Sequence, residues 1–158
     1  MKAKISALLA CLALGFSLPA HAEGHDHHDH SSNEPQKLQL NAGKKWATDQ
    51  HLRQTISDIN QAMSEALPRI HKNQFSEGDY QALATTISQK VAYAVDHCKL
   101  TPKADAMLHL VIADLLGGAE IMEGKQASSR HDGAVQVMQA LQAYGKYFQH
   151  AGWKLARG

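Results

Sequence analysis

Cysteine is nearly absent from this chain: its 158 residues contain two, Cys11 and Cys98. A disulfide framework is therefore excluded, and so is a covalently attached c-type haem, because Cys-x-x-Cys-His does not occur. A dominant charge is missing too. Sixteen Lys and Arg stand against fifteen Asp and Glu, for a formal net charge of +1. A chain so close to neutral projects no basic field for nucleic acid. After Ala22 no apolar run approaches the ~20 residues that span a bilayer, so no membrane span is expected. No stretch alternates strongly enough to form a strand. There is no P-loop, Gly-rich dinucleotide turn or nucleophile elbow, and a non-enzymatic protein is expected.

What is present begins with a leader. Met1-Lys2-Ala3-Lys4 is basic, Ile5 to Leu18 is apolar, and Ala20-His21-Ala22 places small residues at −3 and −1. This pattern predicts a secretory signal peptide over 1–22, cut after Ala22, and hence a periplasmic product. Cys11 leaves with the leader; the apolar run continues past it, which makes it a poor lipidation site. Cys98 stays. A lone thiol in an oxidising compartment must be buried, paired between chains or bound to something.

Residues 23–39 carry almost no large apolar side chains and cannot bury enough surface to offset the entropy of ordering, so they read as a disordered tail. Within it His25, His27, His28 and His30 interleave with Asp26 and Asp29. Four imidazoles and two carboxylates in so short a tract are the composition of a metal-binding segment. Neutral imidazole suits Cu and Zn.

From residue 40 onward the spacing turns helical, and a bundle domain is expected over 40–158. Leu52, Ile56, Ile59, Met63, Leu67 and Ile70 recur every three or four residues behind Thr48, a capping residue, with Asp49 in the first turn. Pro68 predicts a stop or kink near Ala66. A second helix follows Ser76, whose capping box is completed by Asp79, and carries Tyr80, Leu83, Ile87, Val91, Ala94 and Cys98 on its apolar face. The third starts at Pro102 behind Thr101 and runs to about Glu123. Its Gly117-Gly118 pair points to a close neighbour or a kink. The fourth is expected from about Arg130 to Leu155. Four such helices with short connections fit an all-α, up-down-up-down four-helix bundle.

In that arrangement the start of helix one, the end of helix two, the start of helix three and the end of helix four share one pole. His51, His97, Cys98, Met107, His109 and His150 all fall there, while His71 and His131 fall at the other end. At 100° per residue Cys98 points inward, His51, His97 and His109 lie on flanks, and His150 points to solvent. Cys98 with His109, and His51 or His97, could then offer sulfur and imidazole to a metal. The competing expectation is that Cys98 is a small core residue, His109 pairs with Asp105, and the flanking histidines are solvated. A non-covalent haem would need inward axial ligands, for which Met63 or Met122 with a histidine is the best available. A ferritin-like di-iron site would need inward Glu and Glu-x-x-His pairs, which these helices lack.

The segments Leu40-Asn41-Ala42-Gly43-Lys44-Lys45-Trp46-Ala47-Thr48-Asp49 and His97 through Met122 resemble parts of a group of small secreted bacterial helical proteins that are uncharacterised. The resemblance implies a periplasmic helical protein and supplies no activity or site residues. At the level of fold the expected architecture is similar to the cytochrome b562 and c′ bundles, without the covalent haem motif of the second or a clear axial pair of the first. Three functions fit the sequence. The leading one is a protein that binds or buffers Cu or Zn; the others are a metal-indifferent adaptor or envelope-stress protein acting through a protein partner or as a homodimer, and a haem-binding electron carrier.

Overall fold

The structure is a computed structural model and describes residues 37–157. The leader and the tract His25 to His30 lie outside the described residues. Within them the chain forms four helices and two isolated bridges: α1 (Gln50–His71), α2 (Glu77–His97), α3 (Pro102–Met122) and α4 (Arg130–Tyr147). Each helix packs on the next and α4 returns to α1, which makes a four-helix bundle. Neighbours run antiparallel. His51 at the start of α1 meets Tyr93 and His97 at the end of α2, Arg69 pairs with Asp79 across the opposite corner, and Gln136 of α4 donates to the carbonyl of Asp114 on α3.

The helices start where the capping chemistry places them. Ser76 and Asp79 form the expected reciprocal box, and Ser129 with Asp132 repeats it at α4. Thr101 accepts from Ala104 N, and Pro102 occupies the first helical turn, where its missing N–H is not needed. At α1 the cap is Asp49 rather than Thr48. The Thr48 hydroxyl instead donates to the Gln149 carbonyl at 2.5 Å and fastens the other end of the chain.

Two helix ends depart from the sequence expectation. Pro68 does not stop α1, which continues to His71. Proline costs ~3 kcal/mol inside a helix. Leu67 and Ile70 beyond the break are both buried, and at about 1.5–3 kcal/mol each they offset it. Pro68 itself faces solvent. Conversely, α4 ends at Tyr147 although apolar residues recur to Leu155. The lead-in segment takes over the last carbonyls of α4: Lys45 Nζ donates to Gly145 O, Trp46 N donates to Tyr147 O, and Gln149 N returns a bond to Trp46 O. Phe148 is thereby drawn into extended backbone beside Trp46, and both rings are buried. The chain then folds back over the α1–α4 seam. The Asn60 amide clamps it, accepting from Ala156 N and donating to Lys154 O.

The core is largely apolar, with Ile59, Met63, Ile87, Val111, Leu115, Met122, Val137, Leu141, Tyr144 and Phe148 fully buried and Thr55 the buried polar side chain among the described residues. Met63 and Met122, the methionines considered for haem, are both core residues. The glycine pair of α3 marks a close helix crossing. A Cβ on Gly118 would lie 2.7 Å from the Gly133 carbonyl oxygen and from Val137, so only hydrogen fits there. Among the described residues Leu38 already packs against the core, and the Gln39 carbonyl accepts from the indole of Trp46.

Candidate metal centre

The pole shared by the start of α1 and the corner between α2 and α3 is built around one carboxylate. Asp49 Oδ1 accepts from Leu52 N at 2.8 Å, and Oδ2 accepts from Lys99 N at 2.6 Å, which ties the first helix to the far side of the corner. Partial burial pushes this carboxyl up, but the backbone donors Leu52 and Lys99, the charge of His51 and the Cys98 thiol outweigh it and hold it below its ordinary value. The Leu52 and Lys99 amides are thus held by one side-chain carboxylate.

Cys98 is the C-cap of α2, half-buried and packed against the core. Burial, the negative charge of Asp49, a hydrogen bond to that carboxylate and the charge of Asp105 push its thiol up to about 12. At neutral pH it is protonated, beside the Asp49 carboxylate. Asp105 is also the neighbour of His109, whose Nδ1 donates to the Asp105 carbonyl at 2.9 Å and lies 3.4 Å from its carboxylate. The pairing of His109 with Asp105 expected from their spacing is therefore present, with His109 exposed on the outer face of α3.

His51 and His97 come together across α1 and α2, and the Tyr93 ring lies against both imidazoles. Their ring centroids are 5.8 Å apart with planes tilted by 39°. The ring of His97 stacks on Tyr93 at 4.1 Å and 15°, and its Nδ1 donates to the Tyr93 carbonyl at 2.9 Å. The phenol of the same Tyr93 is 2.8 Å from His51 Nδ1. Both imidazoles thus have Nδ1 engaged and are exposed to solvent.

His150 differs from its expected place in solvent. It is half-buried, with Nδ1 3.0 Å from the Tyr144 hydroxyl and Nε2 3.5 Å from Ser57 Oγ, and its ring lies against Tyr144 and Trp153. Burial first, and the charge of Arg53 second, lower its pKa. The angular rule failed because α4 ends three residues earlier. Burial also raises the Tyr144 hydroxyl well above its ordinary range. The Tyr144–His150–Ser57 chain had no signal in the helical periodicity.

At the opposite end His71 and His131 flank an apolar groove of about 300 Å³ between α1 and α4, lined by Leu67, Ile70, Ala134, Val135 and Met138.

Among the described residues no group of three or more His, Cys, Asp or Glu side chains is arranged to hold a metal ion. The pole brings together His51 with His97, and separately Cys98 with Asp49 and Asp105; His109 is held by Asp105. No helix among the described residues is long and apolar enough to cross a membrane. No family model, curated protein or solved structure matches the chain.

Proposed function

We propose that this is a periplasmic, non-enzymatic protein that binds or buffers a transition metal, Cu or Zn, and that its principal ligands are His25, His27, His28 and His30. The observation that carries the reading is the density of that tract: four imidazoles with two intervening carboxylates in six consecutive positions. Imidazoles at adjacent and alternate positions of one short tract can reach a single ion together, which suits capture and release better than permanent storage. The bundle itself has an apolar core and brings His51 and His97 together at one pole.

Titration calorimetry with Cu(II) and Zn(II) tests this on the full chain and on a variant in which the four tail histidines become Asn. The full chain is expected to bind at about pH 7.5 and to lose affinity at about pH 5, because imidazoles with pKa near 6.5 must be neutral to ligate. Equal binding by the variant, or equal affinity at both pH values, would remove the tail from the account.

A further inference from the structure

We propose that His51 and His97, positioned by Tyr93, form a second divalent-metal site on the bundle itself, a two-imidazole clamp at the α1–α2 end. It belongs to the metal-binding reading of the chain but uses none of the tail's ligands.

The argument starts from ring geometry. Two imidazoles on one ion, with metal–nitrogen bonds of about 2 Å, keep their centroids roughly 4.5 Å apart when cis and 6.3 Å when trans. The observed 5.8 Å falls inside that interval. Ring orientation comes next. His97 donates from Nδ1 to the Tyr93 carbonyl, which fixes its tautomer and leaves the Nε2 lone pair free. Hydrogen bonding of one ring nitrogen to a carbonyl is the arrangement that orients metal-bound histidines and raises their basicity. His51 can reach the same state by donating from Nδ1 to the Tyr93 hydroxyl at 2.8 Å.

One tyrosine therefore sets both ligands: its carbonyl and ring hold His97, and its hydroxyl holds His51. This gives a reason for its own position. Tyr93 is 41% exposed, one of few large hydrophobic side chains on the surface among the described residues, and contributes little to the core. Its companions are imidazoles on two different helices, tied at the corner by Asp49 and Lys99. Two nitrogen ligands leave the remaining positions of the ion open to water or an incoming ligand, so the clamp suits an exchangeable Cu(II) or Zn(II) ion rather than a structural one.

The test uses the full chain with His25, His27, His28 and His30 all replaced by Asn, titrated with Cu(II) and followed by electron paramagnetic resonance. One equivalent of Cu(II) is expected, with hyperfine structure from two imidazole nitrogens. His51→Ala and His97→Ala should each reduce affinity at least tenfold and halve the nitrogen count. Tyr93→Phe, which keeps the ring but loses the hydroxyl, should weaken binding on the order of tenfold while both nitrogens remain. His109→Ala should bind as the parent does. All four side chains are exposed, so helicity should be retained and is checked by far-UV circular dichroism. Absence of Cu(II) binding in the tail-substituted chain, or unchanged binding and nitrogen count in His51→Ala and His97→Ala, would overturn the proposal. Failure of the tail reading would show separately, as equal stoichiometry in the parent and the tail-substituted chain.

Discussion

Replacing Asp49 with Ala should loosen the whole pole, and the size of the effect follows from what its two oxygens hold. Oδ1 is the N-cap acceptor of α1, a bond whose loss costs ~1 kcal/mol. Oδ2 accepts a charge-assisted bond from the Lys99 amide, which lies in the α2–α3 corner and contributes about 1.5–3 kcal/mol in protected settings. Lys99 is exposed, so water recovers part of the second bond. A total of about 2 kcal/mol is expected, equivalent to a fall in melting midpoint of roughly 6–10 °C for a domain of this size. Asp49→Asn keeps an oxygen for the cap and should lose about half as much. The acid dependence fixes the mechanism. The folded carboxyl titrates below its ordinary value, so its contribution is complete above a pH of about 4 and disappears as pH falls through the folded value. Urea titrations followed by circular dichroism at neutral pH and at about pH 2.5 measure both quantities. A deficit under about 0.5 kcal/mol at neutral pH, or one of unchanged size in acid, would refute the corner as described.

Other perturbations probe the remaining elements. Gly133→Ala pushes a methyl against the Gly118 carbonyl oxygen and the Met122 amide, and overpacking of this kind should cost on the order of 1–3 kcal/mol by chemical denaturation. Cys98→Ala should cost about 1 kcal/mol in lost packing and leave metal stoichiometry unchanged. In the intact protein Cys98 should react with a thiol-specific disulfide reagent far more slowly at about pH 8 than in the unfolded chain, because burial beside Asp49 and Asp105 holds it protonated. His150 is half-buried with a lowered pKa, so its contribution is present above about pH 6.5 and is lost as pH falls through the folded value. The melting midpoint of His150→Asn should accordingly decline less between about pH 7 and pH 5 than that of the parent; parallel declines would show that His150 is not the titrating group.

The helices were legible because they depend on local chemistry. Ser76 with Asp79 and Thr101 with Pro102 are capping signals confined to four residues, and the three-to-four spacing of Ile56, Ile59 and Met63 identifies a buried face within about two turns. Gly117-Gly118 likewise announced a close crossing, although not that Gly133 stands opposite. Helix ends were less legible where tertiary contacts set them. The stop of α4 depends on Lys45 and Trp46, a hundred residues away in the chain, and the continuation of α1 past Pro68 depends on burial of Leu67 and Ile70. The pole shows the same division. Helix order brings His51 and His97 to one end, but the arrangement of Tyr93 against both rings rests on side-chain positions that periodicity does not encode.

The metal content of the native protein tests the central claim most directly. The protein, expressed from its full sequence and purified without an affinity tag, is analysed by elemental mass spectrometry beside the variant carrying Asn at 25, 27, 28 and 30. The account predicts copper or zinc bound to the parent and most of it missing from the variant. Equal metal in the two proteins, or none in either after growth with both metals supplied, would contradict it.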